Sequence, residues 1–190
     1  YSIGQLFKYL KDPEIISLAG GLPAPDMFQT GEIQDVSQRL LEAEATAIMQ
    51  YSDISGEASL KKAVISYLAA DGSQVEEENL LITTSGQQGL DLAGRLLLNP
   101  GDVLILDRPT FAGAIVAFQM QRPIFAGADL EPDGSNLEAM EGIIKAHGRI
   151  NQKPKFIYVV PDSQNPSGIT MSLEKRHALL DLSRRYDIPI

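Results

Sequence analysis

The chain has 190 residues, 44% of them apolar and 22% charged, with no Cys, no Trp and a formal charge of −9. That length and apolar content suffice for one sizeable core and part of a second, and the lack of cysteine excludes disulfides and thiolate metal sites. No run reaches the roughly 18 uncharged apolar residues of a membrane helix, and the scattered Lys and Arg do not form the basic surface that nucleic acid needs, so neither is an expected partner of this segment.

The N-terminal stretch carries Lys8, Lys11, Asp12 and Glu14 where a secretory signal would be apolar, and a cytoplasmic location is the expectation. Residues 1–30 read as irregular: a short amphipathic turn (Ile3, Leu6, Phe7, Leu10), then ISLAGG, then the Pro-rich LPAPDMF. The spacing of Ile33, Val36, Leu40 and Leu41 predicts a helix over Thr30–Ala47, and Leu60, Ala63, Val64, Tyr67 and Leu68 predict another over Ala58–Ala70, stopped at Asp71-Gly72. From Leu80 onward the rhythm changes. LLITT, DVLILD, PIFAG and KFIYVVP read as strands, alternating with helices at SGQQGLDLAGRLLL, Phe111–Gln121, Ser135–His147 and Ser172–Tyr186. DIPI at the end reads as the start of one more strand. Such alternation implies βαβ units and a largely parallel sheet, an α/β fold. His147 and His177 both fall in helical contexts, which argues against a His-based metal cluster.

Ligands of such sheets bind beyond the carboxyl ends of the strands, which selects three loops. In TTSGQQG (Thr83–Gly89), a strand ends and a helix starts, so the backbone N–H groups at Ser85, Gly86 and Gln87 would suit a phosphate. A plain Ser N-cap beside a glycine explains the same residues. In DRPTFAG (Asp107–Gly113), Phe111 would sit at the top of the sheet, where it could stack on a planar heterocycle or simply cover the end of the core. In PDSQNPSG (Pro161–Gly168), Pro166 biases Asn165 toward an extended conformation. Its amide could then meet a phenolate oxygen and a carboxylate together. Two prolines and a glycine also make a tight turn, although a generic turn has no need of Gln-Asn between the prolines.

Strand–PxxQNPxG–helix resembles the Asn loop of class I/II aminotransferases of pyridoxal-phosphate (PLP) fold type I. Other segments follow in that family's order: ISLAGGLPAPDMF is similar to its substrate loop, MQYSDISGEASLKKAV to its QY…G…LR segment, TTSGQQGLDL to its phosphate loop and DRPTFAGAI to its cofactor-stacking segment. The match covers essentially the whole chain. Within the family it looks closest to the 2-aminoadipate, kynurenine and multi-substrate subgroup, which includes the effector domains of MocR-type regulators. The resemblance implies a three-layer α/β/α PLP-transferase major domain with a mostly parallel sheet, incomplete at the C-terminus. Residues 1–30 would be an N-terminal arm and substrate loop, and residues 31–190 the first part of the PLP-binding domain.

The same resemblance implies the roles. Ser85, Gly86 and Gln87 would hold the phosphate of pyridoxal 5'-phosphate, Phe111 would stack on the pyridine ring, and Asn165 would bond the phenolic oxygen and help seat the substrate carboxylate. Gly21 would line the substrate pocket. Tyr51 would reach the phosphate of the neighbouring subunit's cofactor, implying a homodimer with shared sites, acting on an amino acid and a 2-oxo acid. Two departures stand out. Ser2-Ile3-Gly4 lacks the Arg that relatives acting on long acidic substrates carry near the N-terminus, so no guanidinium is offered to a distal carboxylate. Gly86 also stands where relatives often have Ser.

In the family the cofactor-linking Lys, an Asp at the pyridine nitrogen and an Arg for the substrate carboxylate all follow the Asn loop. Lys153, Lys155 and Lys175 come too early and do not fit that pattern. No Schiff-base lysine is therefore assigned, and the chain reads as a fragment. Aminotransfer is the first expectation. A PLP-binding effector domain of a MocR-type transcription regulator would be marked by a winged-helix segment before Tyr1, and a PLP lyase or synthase of the same fold by its products.

Overall fold

The computed structural model describes residues 14–15 and 23–190, so Gly21 and Ser2-Ile3-Gly4 lie outside the described residues. The chain divides into two compact units, one spanning Leu22–Thr84 and the other containing Ser85–Ile190.

The first unit is helical. Helix α1 runs Thr30–Ile48, with a non-helical backbone at Glu44 (φ −137°), and α2 runs Ala58–Ala70. Both match the apolar spacing. Glu57 caps α2 by accepting from the Leu60 N–H at 2.9 Å and from the Ser59 hydroxyl, a capping role that Glu fills less often than Ser or Asp. Lys61, only 5% exposed, reaches back to donate to the Ser55 hydroxyl at 3.1 Å, and Ser55 in turn donates to the Asp53 carboxylate through both N–H and Oγ. That chain of bonds holds Asp53's carboxyl below its ordinary range, the Ser55 hydroxyl being the largest cause. Gly56 lies at φ +114°, and a Cβ there would come within 2.4 Å of the Ile82 side chain. The loop can turn against Ile82 only because residue 56 has no side chain.

The second unit is a four-stranded sheet in the order β3-β2-β1-β4. Strand β1 is Val103–Arg108, β2 Ile124–Glu131, β3 Gly134–Ser135 and β4 Phe156–Tyr158. Strand β1 pairs in parallel with β2 (Val103 opposite Ile124) and with β4 (Leu104 opposite Phe156), while β3 returns antiparallel to β2. Helices α3 (Gly86–Leu97), α4 (Ala112–Phe118), α5 (Leu137–Gly148) and α6 (Leu173–Tyr186) complete the unit.

The period-2 alternation of a strand sends successive side chains to opposite faces, and β1 and β4 show it. Leu104 and Phe156 join Leu98, Ala114 and Phe118 in a cluster beneath α3 and α4. Ile105 and Ile157 join Ala128, Met140, Ile144, Met171, Leu179, Leu182 and Ile188 beneath α5 and α6. Phe118 meets Phe156 and Tyr158 edge-on, with centroids 5.4 and 5.6 Å apart, a geometry that adds about 0.5–1.5 kcal/mol per pair to the area buried. Both faces of the sheet are covered. This unit is a three-layer α/β/α arrangement around a mostly parallel sheet, the sheet as expected from the alternation and the layers as the resemblance implies.

Four sequence expectations need correction. LLITT forms no ladder among the described residues: the Ile82 N–H goes to the Ser55 carbonyl at 2.9 Å, and Leu81 is half exposed. Apolar β-branched composition makes a strand only where a partner strand lies alongside, and no described strand does. The helix expected from Ser135 begins at Leu137, because Ser135 pairs with Leu130 in the β2–β3 hairpin and the Asn136 side chain caps the helix at the Ala139 N–H, 2.8 Å away. The predicted Phe111–Gln121 helix is α4 followed by a 3₁₀ turn over Gln119–Gln121. At the C-terminus, the Pro189 carbonyl accepts from the Ile157 N–H at 2.9 Å, but residues 187–190 form no strand, against the expectation for DIPI. Among the described residues, no helix is long and apolar enough to cross a membrane.

On the α5/α6 face, Asp107 is 1% exposed, and neither its Oδ1 nor the Ser135 hydroxyl has a hydrogen-bond partner among the described residues. Burial pushes the Asp107 carboxyl above the ordinary carboxylate range, opposed by the nearby Ser135 hydroxyl and the Lys175 charge. A raised carboxyl pKa favours folding while the group stays protonated, and that contribution is lost as pH rises through the folded-state value. Asp107→Asn is therefore expected to gain stability relative to wild type as pH rises from 4 toward 8, on the order of 1 kcal/mol. Parallel thermal melts across that range check it; an advantage that shrinks as pH rises contradicts it.

Candidate functional site

Parallel pairing of β1 with β2 and β4 brings the carboxyl ends of neighbouring strands to one edge, the place where ligands of such sheets bind. The loop after β1 carries Phe111, the loop after β4 carries Asn165, and α3 begins at Gly86.

At the start of α3, Ser85 is the N-cap, with extended backbone and a side chain that accepts from the Gln88 N–H. The Gln88 and Gly89 N–H groups also point to the Ser85 carbonyl, at 3.1 and 3.2 Å. The N–H groups of Gly86 and Gln87 have no acceptor among the described residues, as the first turn of any helix leaves them. A Cβ built on Gly86 would meet nothing within 4 Å. Open space thus lies beside two unused donors at the positive end of a helix of 12 residues, a geometry suited to an anion. The side chain of Gln87 is otherwise engaged: its amide donates to the Gly113 carbonyl at 2.9 Å. Its backbone N–H remains open to a ligand.

Phe111 is half-buried and is the N-cap of α4. Its ring packs at the margin of the α3/α4 cluster and folds back over Gly113, where a Cβ would stand 2.4 Å from Cζ and 2.9 Å from the Gln87 Oε1. A side chain at residue 113 would have to displace the Phe111 ring and the Gln87 amide, which both occupy the space it would take. The Arg108-Pro109 and Asn165-Pro166 peptides are both cis.

The loop after β4 closes on itself between Pro161 and Met171. The Met171 N–H donates to the Pro161 carbonyl and the Gln164 N–H to the Ile169 carbonyl, each at 2.8 Å, and the Ser163 N–H reaches the Thr170 hydroxyl at 3.1 Å. Arg176 of α6 clamps the base: its guanidinium donates to the carbonyls of Met171 and Pro161 at 3.0 and 3.1 Å and to the Asp162 carboxylate at 2.6 Å. Those bonds hold the Asp162 carboxyl below its ordinary range. Asn165 sits at the exposed tip, in a turn, with no side-chain hydrogen bond to another described residue. Its neighbour Gln164 is 2% exposed and turns inward.

Ser85, Gly86, Gln87, Phe111 and Asn165 all belong to the second unit, on α3 and on the loops after β1 and β4. Tyr51 belongs to the first unit and is 99% exposed. Gly21 lies outside the described residues. Sequence reasoning missed Arg176, whose helical position gives no hint that it holds the loop before it, and it read Gln164 only as a companion of Asn165.

The family described as Aminotransferase class I and II matches residues 13–190. An aromatic-amino-acid aminotransferase of Thermococcus litoralis is 33% identical over 99% of this chain and 45% of its own length. A 2-aminoadipate transaminase of Thermus thermophilus is 36% identical over 95% of this chain and 43% of its own. The crystal structure of a Pyrococcus horikoshii kynurenine aminotransferase, in complex with PMP, superposes with a TM-score of 0.90 at 34% identity, over 98% of this chain and 46% of that one. The chain spans less than half the length of these relatives. With the family matched over nearly its whole length, the chain belongs to the class I and II aminotransferases.

Proposed function

We propose that the protein is a PLP-dependent aminotransferase that moves an amino group between an amino acid and a 2-oxo acid, and that this chain forms the phosphate, ring-face and phenolic-oxygen contacts of the cofactor site. The observation that carries the reading is the pair of unused N–H groups at Gly86 and Gln87, beside open space and joined by the Gln87 amide to the loop that bears Phe111. Kinship with a protein solved with PMP supports the same cofactor here.

In this reading the α3 N-terminus binds the phosphate through backbone N–H groups, with Ser85 at the cap. Phe111 offers one ring face, and Asn165 donates from its amide to the phenolic oxygen and orients the substrate carboxylate. Gly21 lines the substrate pocket within the arm and substrate loop of residues 1–30, while residues 31–190 form the first part of the PLP-binding domain. Tyr51, fully exposed on this chain, reaches the cofactor phosphate of a second copy, which makes the active unit a homodimer. The cofactor, once bound, supplies the electron sink for cleavage at the amino acid Cα. A cytoplasmic setting accords with a chain without cysteine.

The decisive experiment adds amino acids to the complete, PLP-loaded protein and follows the cofactor's absorbance. Conversion from the pyridoxal to the pyridoxamine form, reversed by a 2-oxo acid, is the expected result; an unchanged spectrum with every amino acid tried would sink the reading. Asn165→Ala is expected to lower PLP affinity about ten- to a hundredfold, the worth of a hydrogen bond to a charged oxygen, with little effect on the melting of the cofactor-free protein because the side chain is exposed and unbonded. Gly113→Ala should instead cost both. Its methyl collides with the Phe111 ring and the Gln87 amide, an overpacking penalty of about 1–3 kcal/mol in the cofactor-free melt, and PLP affinity falls with it.

A further inference from the structure

Gln164 is a buried amide whose polar atoms are all committed. Its Nε2 donates to the Pro109 carbonyl at 2.8 Å, across to the loop after β1. Its Oε1 accepts from the Ser167 N–H at 2.9 Å and from the Ser167 hydroxyl at 2.6 Å, within its own loop. At 2% exposure it leaves no donor for a ligand. Asn165, next in sequence, is exposed at the tip, and Phe111 lies two residues beyond Pro109. The far side of the Phe111 loop is held by the second amide, Gln87 to the Gly113 carbonyl. Between them, two glutamines grip the carbonyls that flank Phe111, one from α3 and one from the Asn165 loop.

We propose that Gln164 is a positioning residue: its amide ties the loop presenting Asn165 to the loop presenting Phe111, so that the contact on the cofactor's phenolic oxygen and the contact on its ring face keep one fixed spacing. The inference rests on the PLP reading above. Three features separate this tie from ordinary turn chemistry. It spans 55 residues of sequence. It joins the loops of two adjacent parallel strands beyond the end of their short ladder, Leu106 opposite Tyr158 being its last pair. And the amide is needed as an amide, because one end must donate to a carbonyl while the other accepts from an N–H and a hydroxyl.

The test compares the complete protein as wild type, Q164E and S167A. Gln164→Glu keeps the shape and the acceptor toward Ser167 but sets a carboxylate oxygen against the Pro109 carbonyl; Ser167→Ala removes one bond within the loop and leaves the tie. PLP is titrated into cofactor-free protein by absorbance, the bound cofactor's absorbance is followed against pH, and hydrogen exchange is read over Thr110–Gly113. Q164E is expected to bind PLP about tenfold more weakly, to shift the pH midpoint of the bound cofactor as Asn165 moves off the phenolic oxygen, and to exchange faster over Thr110–Gly113. S167A should show a clearly smaller effect on all three. Should Q164E not fold, Gln164→Asn, which is too short to reach Pro109, replaces it in the same comparison. Wild-type PLP affinity and pH midpoint in the substituted protein overturn the proposal, whatever exchange shows. Wild-type protein that takes up no PLP would instead remove the cofactor reading itself, and this inference with it.

Discussion

Everything at the candidate site depends on the parallel pairing of β1 with its two neighbours. A parallel ladder cannot be closed by a hairpin, so each strand must leave the sheet at the same edge and return by a crossover. The loops after β1 and β4 therefore emerge side by side, although 50 residues of sequence separate Arg108 from Tyr158. The two apolar clusters on opposite faces hold that arrangement. Because Leu104 and Phe156 feed one cluster and Ile105 and Ile157 the other, a one-residue slip of β4 against β1 would turn the side chains of β4 to the wrong layers. The register that satisfies the core is also the register that sets the two loops level with one another.

On that edge, polar side chains do the local work. Arg176, Gln164 and Gln87 each donate to main-chain carbonyls of the loops, Arg176 also to the Asp162 carboxylate. A carbonyl is present at every residue, so the loops can be held tightly without spending the side chains at their tips. Asn165 remains uncommitted for this reason. Its neighbours in sequence and across the sheet have taken over the structural duties that a turn Asn often performs for itself.

How much of this was legible in the chain differs from element to element. The α1 and α2 spans follow from apolar spacing, the start of α6 from the Ser172 cap, and both faces of β1 from DVLILD, because those signals are local. LLITT shows the opposite case: its composition is that of a strand, but pairing is a property of two segments, and Ile82 bonds to the Ser55 carbonyl in place of a ladder. At the site, the positions of Phe111 and Asn165 followed from the order of strand, loop and helix, and that of Gly86 from the Ser cap and helix start alone. Their bracing did not. Nothing in the spelling of Gln164 tells that its amide faces inward to Pro109 while Asn165 faces outward, since both are polar and both suit a turn; only the packing of two loops on a shared edge decides it. Asp107 was likewise invisible as a buried acid, because a strand-terminal Asp reads as a solvated end.

The engagement of the Gln87 side chain with Gly113 has one more consequence. Ser85, Gly86 and Gln87 contain no titratable group, so an anion seated at the start of α3 is held by peptide dipoles whose strength does not change with acidity. A site built on lysine or histidine would weaken as its cation lost a proton. These three residues add no proton equilibrium to that of the anion itself, so for a phosphate monoester, with its second ionisation at about 6, the hold of the α3 start should improve as the medium turns from acidic to neutral.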